Sequence, residues 1–144
     1  MSKLTDQQAL AIAREWVDAW NSHDLDRIMS HYADDVVLTS PLVGRILGGP
    51  QTSVRGGTAL RAYFRRGLEA FPDLKFTLWT AYPGQDSMIV NYESVRGLRS
   101  AEFMRLDATG RVREVVAHYA EPGGRPSTRG VTPEDVPLPA PPAF

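Results

Sequence analysis

Among the carboxylates of this sequence, Glu102 has the setting that general acid–base chemistry asks for. In the run Arg99-Ser-Ala-Glu-Phe-Met-Arg-Leu106, strand alternation puts Glu102 on one face with Ser100 and Met104. A carboxyl among apolar walls holds its proton to higher pH than one in water, which suits it to give and take protons near neutrality. The competing reading of the same residue is a sheet-edge glutamate paired with Arg99 or Arg96. Glu93 lies across the predicted hairpin from Glu102 and completes a carboxylate pair if the Arg96-Gly97 turn is tight. A slip of one residue turns Glu93 to the outer face, where a solvated or salt-bridged glutamate is the ordinary outcome. Tyr92 and Asn91 are alternates of neighbouring parity, and only one of them can face inward.

Other chemistries find less support. His23, His31 and His118 lack the spacing of a metal-ligand set. His23 precedes a helix cap and reads as structural. His118 alternates with Tyr119, so one faces inward and the other outward, and His118 as a general base is the rival reading. The sequence has no cysteine, which removes disulfides, thiolate catalysis and cysteine-based zinc sites. The glycine-rich stretch at 44–57 matches neither phosphate-binding glycine pattern, and no G-x-S-x-G elbow is present. No metal and no cofactor are therefore expected.

The elements that must position these residues are legible from periodicity. Thr5 with Gln8 forms a capping box, after which Ala9, Ile12, Ala13, Trp16, Val17 and Trp20 make one apolar helical face. Asp24 caps a second short helix carrying Leu25, Ile28, Met29 and Tyr32, and a strand follows from Val36 to Ser40, ended by Pro41. Residues 43–57 read as a loop, a mobile flap over a pocket mouth. Thr58 caps a third helix that presents Leu60, Tyr63, Phe64, Gly67, Leu68 and Phe71 on one face and stops at Pro72. Strands of about 74–82, 86–94, 98–107 and 111–120 form an antiparallel meander with short turns. The outer parity of the last strand carries Val112, Val116 and His118, which is too apolar for a solvated face and predicts a symmetric homodimer there. Seven of the eleven prolines fall in the last 24 residues, so residues 122–144 form a Pro-rich tail beyond a domain at 1–121.

The length of 144 residues suits one domain, and a net charge of −1 with scattered basic residues argues against a nucleic-acid partner. No apolar run reaches the roughly 18 residues of a membrane span, and the N-terminus shows no signal-peptide core, so a cytoplasmic protein with no membrane partner is expected.

Trp16-Val-Asp-Ala-Trp-Asn-Ser-His-Asp-Leu-Asp26 leads into His31-Tyr-Ala-Asp-Asp-Val-Val37. Together with Ser40-Pro-Leu-Val-Gly44, Arg55-Gly-Gly-Thr-Ala-Leu-Arg61 and Gly110-Arg-Val112, this order resembles the nuclear transport factor 2-like superfamily. Within it the likeness is to SnoaL-like polyketide cyclases and ketosteroid isomerases, over about residues 5–121. The resemblance implies an α+β fold: a cone-shaped barrel with a strongly curved, mostly antiparallel sheet, three helices and a deep apolar pocket. It also implies a hydrophobic small-molecule substrate. Ketosteroid isomerase uses a carboxylate base with a tyrosine and a protonated aspartate as oxyanion donors. In the matching motifs the base position falls on Ser40, the tyrosine on Trp16 and the acid on Glu102. Two of the three roles are absent, which disfavours steroid-type isomerisation. The resemblance makes Trp16, rather than Trp20, a pocket wall, and turns Tyr119 inward with Val115 and Ala117. Glu102 is then the catalytic candidate, with Trp16, Ser40, Phe64, Glu93, Met104, Val115 and Tyr119 as substrate-binding candidates. The expected activity is cofactor-independent cyclisation of a polyketide-like molecule. An isomerase or dehydratase using Glu102 and a non-catalytic dimeric binding module are the alternatives.

Overall fold

A computed structural model of the chain describes residues 3–122; the Pro-rich tail proposed for 122–144 lies, apart from Pro122, outside them. The predicted capping box forms at Thr5 and Gln8 and starts α1 (Asp6–Ser22), whose buried face carries Trp16 and Trp20. Asp24 caps α2 (Leu25–Met29) through the backbone N–H of Arg27. Tyr32 does not extend this helix as expected but opens β1 (Tyr32–Thr39), because α2 closes at Ser30 and His31 turns the chain.

The stretch 43–57 is not the featureless loop that its glycines suggest. It holds α3 (Val43–Leu47) and β2 (Ser53–Arg55). Val43 is fully buried and anchors the short helix, and Gly48, in the left-handed region at φ 75°, ends it by bonding back to Gly44. β2 pairs antiparallel with β1, Val54 opposite Leu38. α4 (Gly57–Ala70) starts one residue before Thr58 and has no side-chain cap. Its entry depends on Gly56 at φ 86°, whose N–H bonds Val36 O at 2.7 Å, a conformation that threonine could not take cheaply.

The meander follows as β3 (Thr77–Pro83), β4 (Ser87–Glu93), β5 (Arg99–Leu106) and β6 (Val112–Ala120). The sheet runs β2-β1-β6-β5-β4-β3, antiparallel except where β1 lies parallel to β6, and its two ends do not pair. The expected three helices are thus joined by a short fourth, and the sheet is curved and unclosed.

One face of this sheet packs on α1 and α4 and forms the core. In cross-strand order, Tyr92, Ser100 and Tyr119 make one inward row, Val90, Glu102 and Ala117 the next, and Met88, Met104 and Val115 the third. The outer face carries Tyr82, Ile89, Phe103 and Val116 in a single row across four strands. Val112 does not belong to that outer face. A bulge shifts the register between Arg105 and Leu106, so Val112 pairs with Leu106 and is buried on the core side along with Val115. Among the described residues no helix is long and apolar enough to cross a membrane.

Candidate active site

The open side of the curved sheet is covered by α1, α3 and α4, and between them lies an apolar cavity of about 70 Å³. Nine of the nineteen residues that line it are aromatic. The Trp16 ring stacks on Phe76 at 5.5 Å and meets Tyr92 edge-on at 5.0 Å, while Trp20 meets Phe64 edge-on at 4.7 Å. Two clamps fix these rings. The Asn21 side chain bonds both backbone groups of Phe76, donating to O at 3.0 Å and accepting from N at 2.7 Å. Glu15 takes a forked pair of bonds from Arg27 and a third from His31, which ties α1 to the start of β1 beside Tyr32.

Glu102 sits on the cavity wall, 5% exposed, with apolar Val90 and Ala117 as its cross-strand neighbours. Burial pushes its carboxyl up from 4.5 to about 7, against a smaller opposing pull from the Tyr92 hydroxyl. That hydroxyl donates to Glu102 Oε1 at 2.7 Å. Neither Arg96 nor Arg99 pairs with it: both lie outside the ion pairs of the described residues, and Arg99 Nε donates to Glu121 O.

A second polar group faces the same cavity. Trp16 Nε1 donates to Tyr32 Oη at 2.8 Å. An indole N–H can only donate, so the Tyr32 oxygen is the acceptor and its own proton must point elsewhere. No described residue accepts that proton, and Tyr32 lines the cavity. Burial first, and the Glu102 charge second, raise Tyr32 and Tyr119 far above the ordinary tyrosine value. Tyr63 is pushed up to about 12, chiefly by burial, with the Ser40 hydroxyl offsetting part of the shift. All three are neutral donors at any physiological pH.

Of the residues proposed from sequence, the structure brings Glu102, Trp16, Ser40, Phe64 and Tyr119 together at the cavity. Met104 and Val115 are fully buried one row beyond Glu102, in the core and not on the cavity wall. Glu93 is not on the wall either. The hairpin pairs it with Arg99 and turns Tyr92 inward, so Tyr92, and not Glu93, reaches Glu102. His118 is exposed on the outer face, opposite in parity to Tyr119. Trp20 lines the cavity as well as Trp16. Tyr32 was missed because helical spacing placed it in the second helix; the signal was present in Asp34-Asp35, too polar to follow a buried helix turn directly. Among the described residues no three His, Asp or Glu side chains cluster as a metal site requires.

Fold and site together define a small α+β protein with one buried acid at the wall of an aromatic cavity. The chain belongs to the SnoaL-like domain family, whose sequence profile matches residues 13–132. It is similar, at 38% identity and a TM-score of 0.79, to a SnoaL-like protein of unknown function from Burkholderia thailandensis E264, over 83% of this chain and all of that one. A proposed isomerase of the SnoaL-like family from Agrobacterium tumefaciens C58 shares the fold at 19% identity and a TM-score of 0.66, over 80% of this chain and 99% of that one. A protein of unknown function with a cystatin-like fold from Methylobium petroleophilum PM1 does so at 21% identity and 0.65, over 88% and 85%. No curated protein matches the chain.

Proposed function

We propose that this protein is an enzyme that moves a proton within a small hydrophobic carbonyl compound, with Glu102 as the proton carrier and no bound cofactor. The observation that carries this reading is a carboxyl poised near pH 7 inside an apolar cavity. Near neutrality both of its forms are populated, so one group can serve as base and then as acid. The Glu102 carboxylate takes the proton from the carbon next to the substrate carbonyl, and the electron pair moves onto the carbonyl oxygen. The Tyr32 hydroxyl, held by Trp16, donates to that oxygen as charge develops. The now neutral Glu102 returns its proton to a distant carbon of the conjugated system, completing an isomerisation. Alternatively it gives the proton to a departing hydroxyl, completing a dehydration.

A cavity of about 70 Å³ suits a single-ring reacting end. Cyclohex-3-enone is therefore a fitting probe, its conversion to the conjugated enone being followed by ultraviolet absorbance. The full chain is expected to accelerate this conversion, and Glu102→Gln to lower the rate on the order of 10²-fold while keeping the fold. Equal rates for the two proteins would sink the proposal. Ring closure of a polyketide-like chain is the second reading, favoured by the aromatic walls, which can hold a substrate folded for attack. It requires that Glu102→Gln turn over normally while Trp16→Ala abolishes product.

A further inference from the structure

Outside the aromatic cavity lies a second chamber of about 570 Å³. The two share Leu42, Ile46, Phe71 and Val95, so the outer chamber adjoins the inner one and stands in the place of a vestibule to it. Its rim carries Arg45 from α3, Arg66 from α4 and Arg96 from the turn between β4 and β5, with Glu69 as the acid among them. Three separate elements thus bring three arginines to the lining of one opening, in a chain whose net charge is −1. All three are exposed, and none forms an ion pair with a described residue, whereas Arg27, Arg61 and Arg105 each do.

Arg96 adds a separate argument. It occupies the first central position of the Val95–Leu98 turn at φ 54°, followed by Gly97 at φ 73°. Such a turn favours asparagine or glycine there, and a long side chain in the left-handed region costs stability. The cost brings its guanidinium over the Phe71 ring, 5.5 Å from the centre, and Phe71 lines both chambers. A cation is thereby held where the vestibule meets the cavity.

We propose that the vestibule binds the anionic head, a carboxylate or a phosphate, of an amphipathic substrate whose apolar end enters the cavity. This rests on the reading of the cavity as the reaction site, and adds to it the chemical class of the molecule. Guanidinium groups match both anions by forked hydrogen bonds, and their convergence at the mouth orients the substrate with its apolar end toward Glu102.

Octanoate, octyl phosphate and octanol carry one chain and three heads. Their binding to the full chain can be read from the fluorescence of Trp16 and Trp20. At low salt at least one of the two anions is expected to bind about tenfold more tightly than octanol, and which one does so identifies the head. The preference should fall toward one at 0.5 M salt, and also in R45Q/R66Q/R96Q. Glu102→Gln should preserve it. Octanol binding as tightly as both anions, or a preference that survives either salt or the triple substitution, overturns the proposal, as does the absence of binding by all three. The cyclohexenone assay uses a neutral probe, so it judges the role of Glu102 separately from the arginines.

Discussion

If burial holds the Glu102 proton, the protein should lose stability as pH rises through the range where that proton is released. The carboxyl titrates near 4.5 in the unfolded chain and at about 7 in the folded one. Between these values the folded state binds more protons than the unfolded state, so the stability of the fold falls as pH rises. The shift of about 2.5 units corresponds to about 3 kcal/mol, of which about 1 kcal/mol is lost by pH 5.5 and nearly all by pH 8. Glu102→Gln carries no such titration. Urea unfolding of both proteins from pH 4 to pH 8 should give a stability difference that moves by about 3 kcal/mol in favour of the variant, or roughly 10 °C in Tm. Groups with lowered values act in the opposite direction. Glu15, bonded by Arg27 and His31, and Asp107, bonded by Thr109, weaken the fold as pH falls. They are common to both proteins and cancel in the difference. Parallel stability profiles would mean that Glu102 is hydrated in the folded protein, and the case for a poised acid would go with it.

Tyr32→Phe should lower the turnover of a cavity substrate about 10- to 10²-fold with little change in KM, because it removes a donor to developing charge; steady-state kinetics on the cyclohexenone probe reads this. Ser40→Ala should change the same rate less than threefold or so, since its hydroxyl can orient a substrate but has no proton affinity to act as base. The outer row of Ile89, Phe103 and Val116 is proposed as a two-fold interface: light scattering should give a dimer at micromolar concentration and Phe103→Glu a monomer, and a monomeric parent refutes it. Deleting residues 123–144 should leave the unfolding midpoint unchanged within a degree or two, because the six-stranded sheet and the core of the described residues are built from positions before it; loss of soluble protein would assign the tail to the core.

The parts of this site that sequence made legible are those set by short-range rules. The face of Glu102 followed from alternation along an uninterrupted strand, and the ends of the four meander strands fell within three residues of their observed places because glycine and proline mark the turns, whereas β1 starts four residues before Val36, where it was expected. What stayed hidden depended on register and on bulges. Glu93 and Tyr92 differ by one residue, and only the pairing of Tyr92 with Ser100 decides which of them faces Glu102. Val112 changed face for a similar reason, since the bulge on β6 inserts a residue that no local pattern announces. Tyr32 was hidden differently. Its helical spacing from Ile28 and Met29 is real, but α2 is too short to reach it, and the bond to Trp16 that gives it a role spans 16 residues.

Nothing in the packing requires an acid at position 102. Its neighbours in the row are Val90 and Ala117, and a leucine or glutamine there would avoid a penalty of about 3 kcal/mol at pH 8. A fold stable by roughly 5–15 kcal/mol in total gives up a large share to keep this carboxyl dry. The Tyr92 hydroxyl does not offset the penalty, since its pull on the carboxyl is the smaller effect. Where a buried residue opposes the stability of its own surroundings, chemistry at that residue is the natural reason for it. Ser40 sharpens the point. A carboxylate at that position would have added a second negative charge to the same cavity and shared the work of proton transfer. With serine in its place, Glu102 is the one carboxyl on the cavity wall among the described residues. In the proposed reaction, base and acid are therefore successive states of a single group, and a value near 7 lets one carboxyl serve as both.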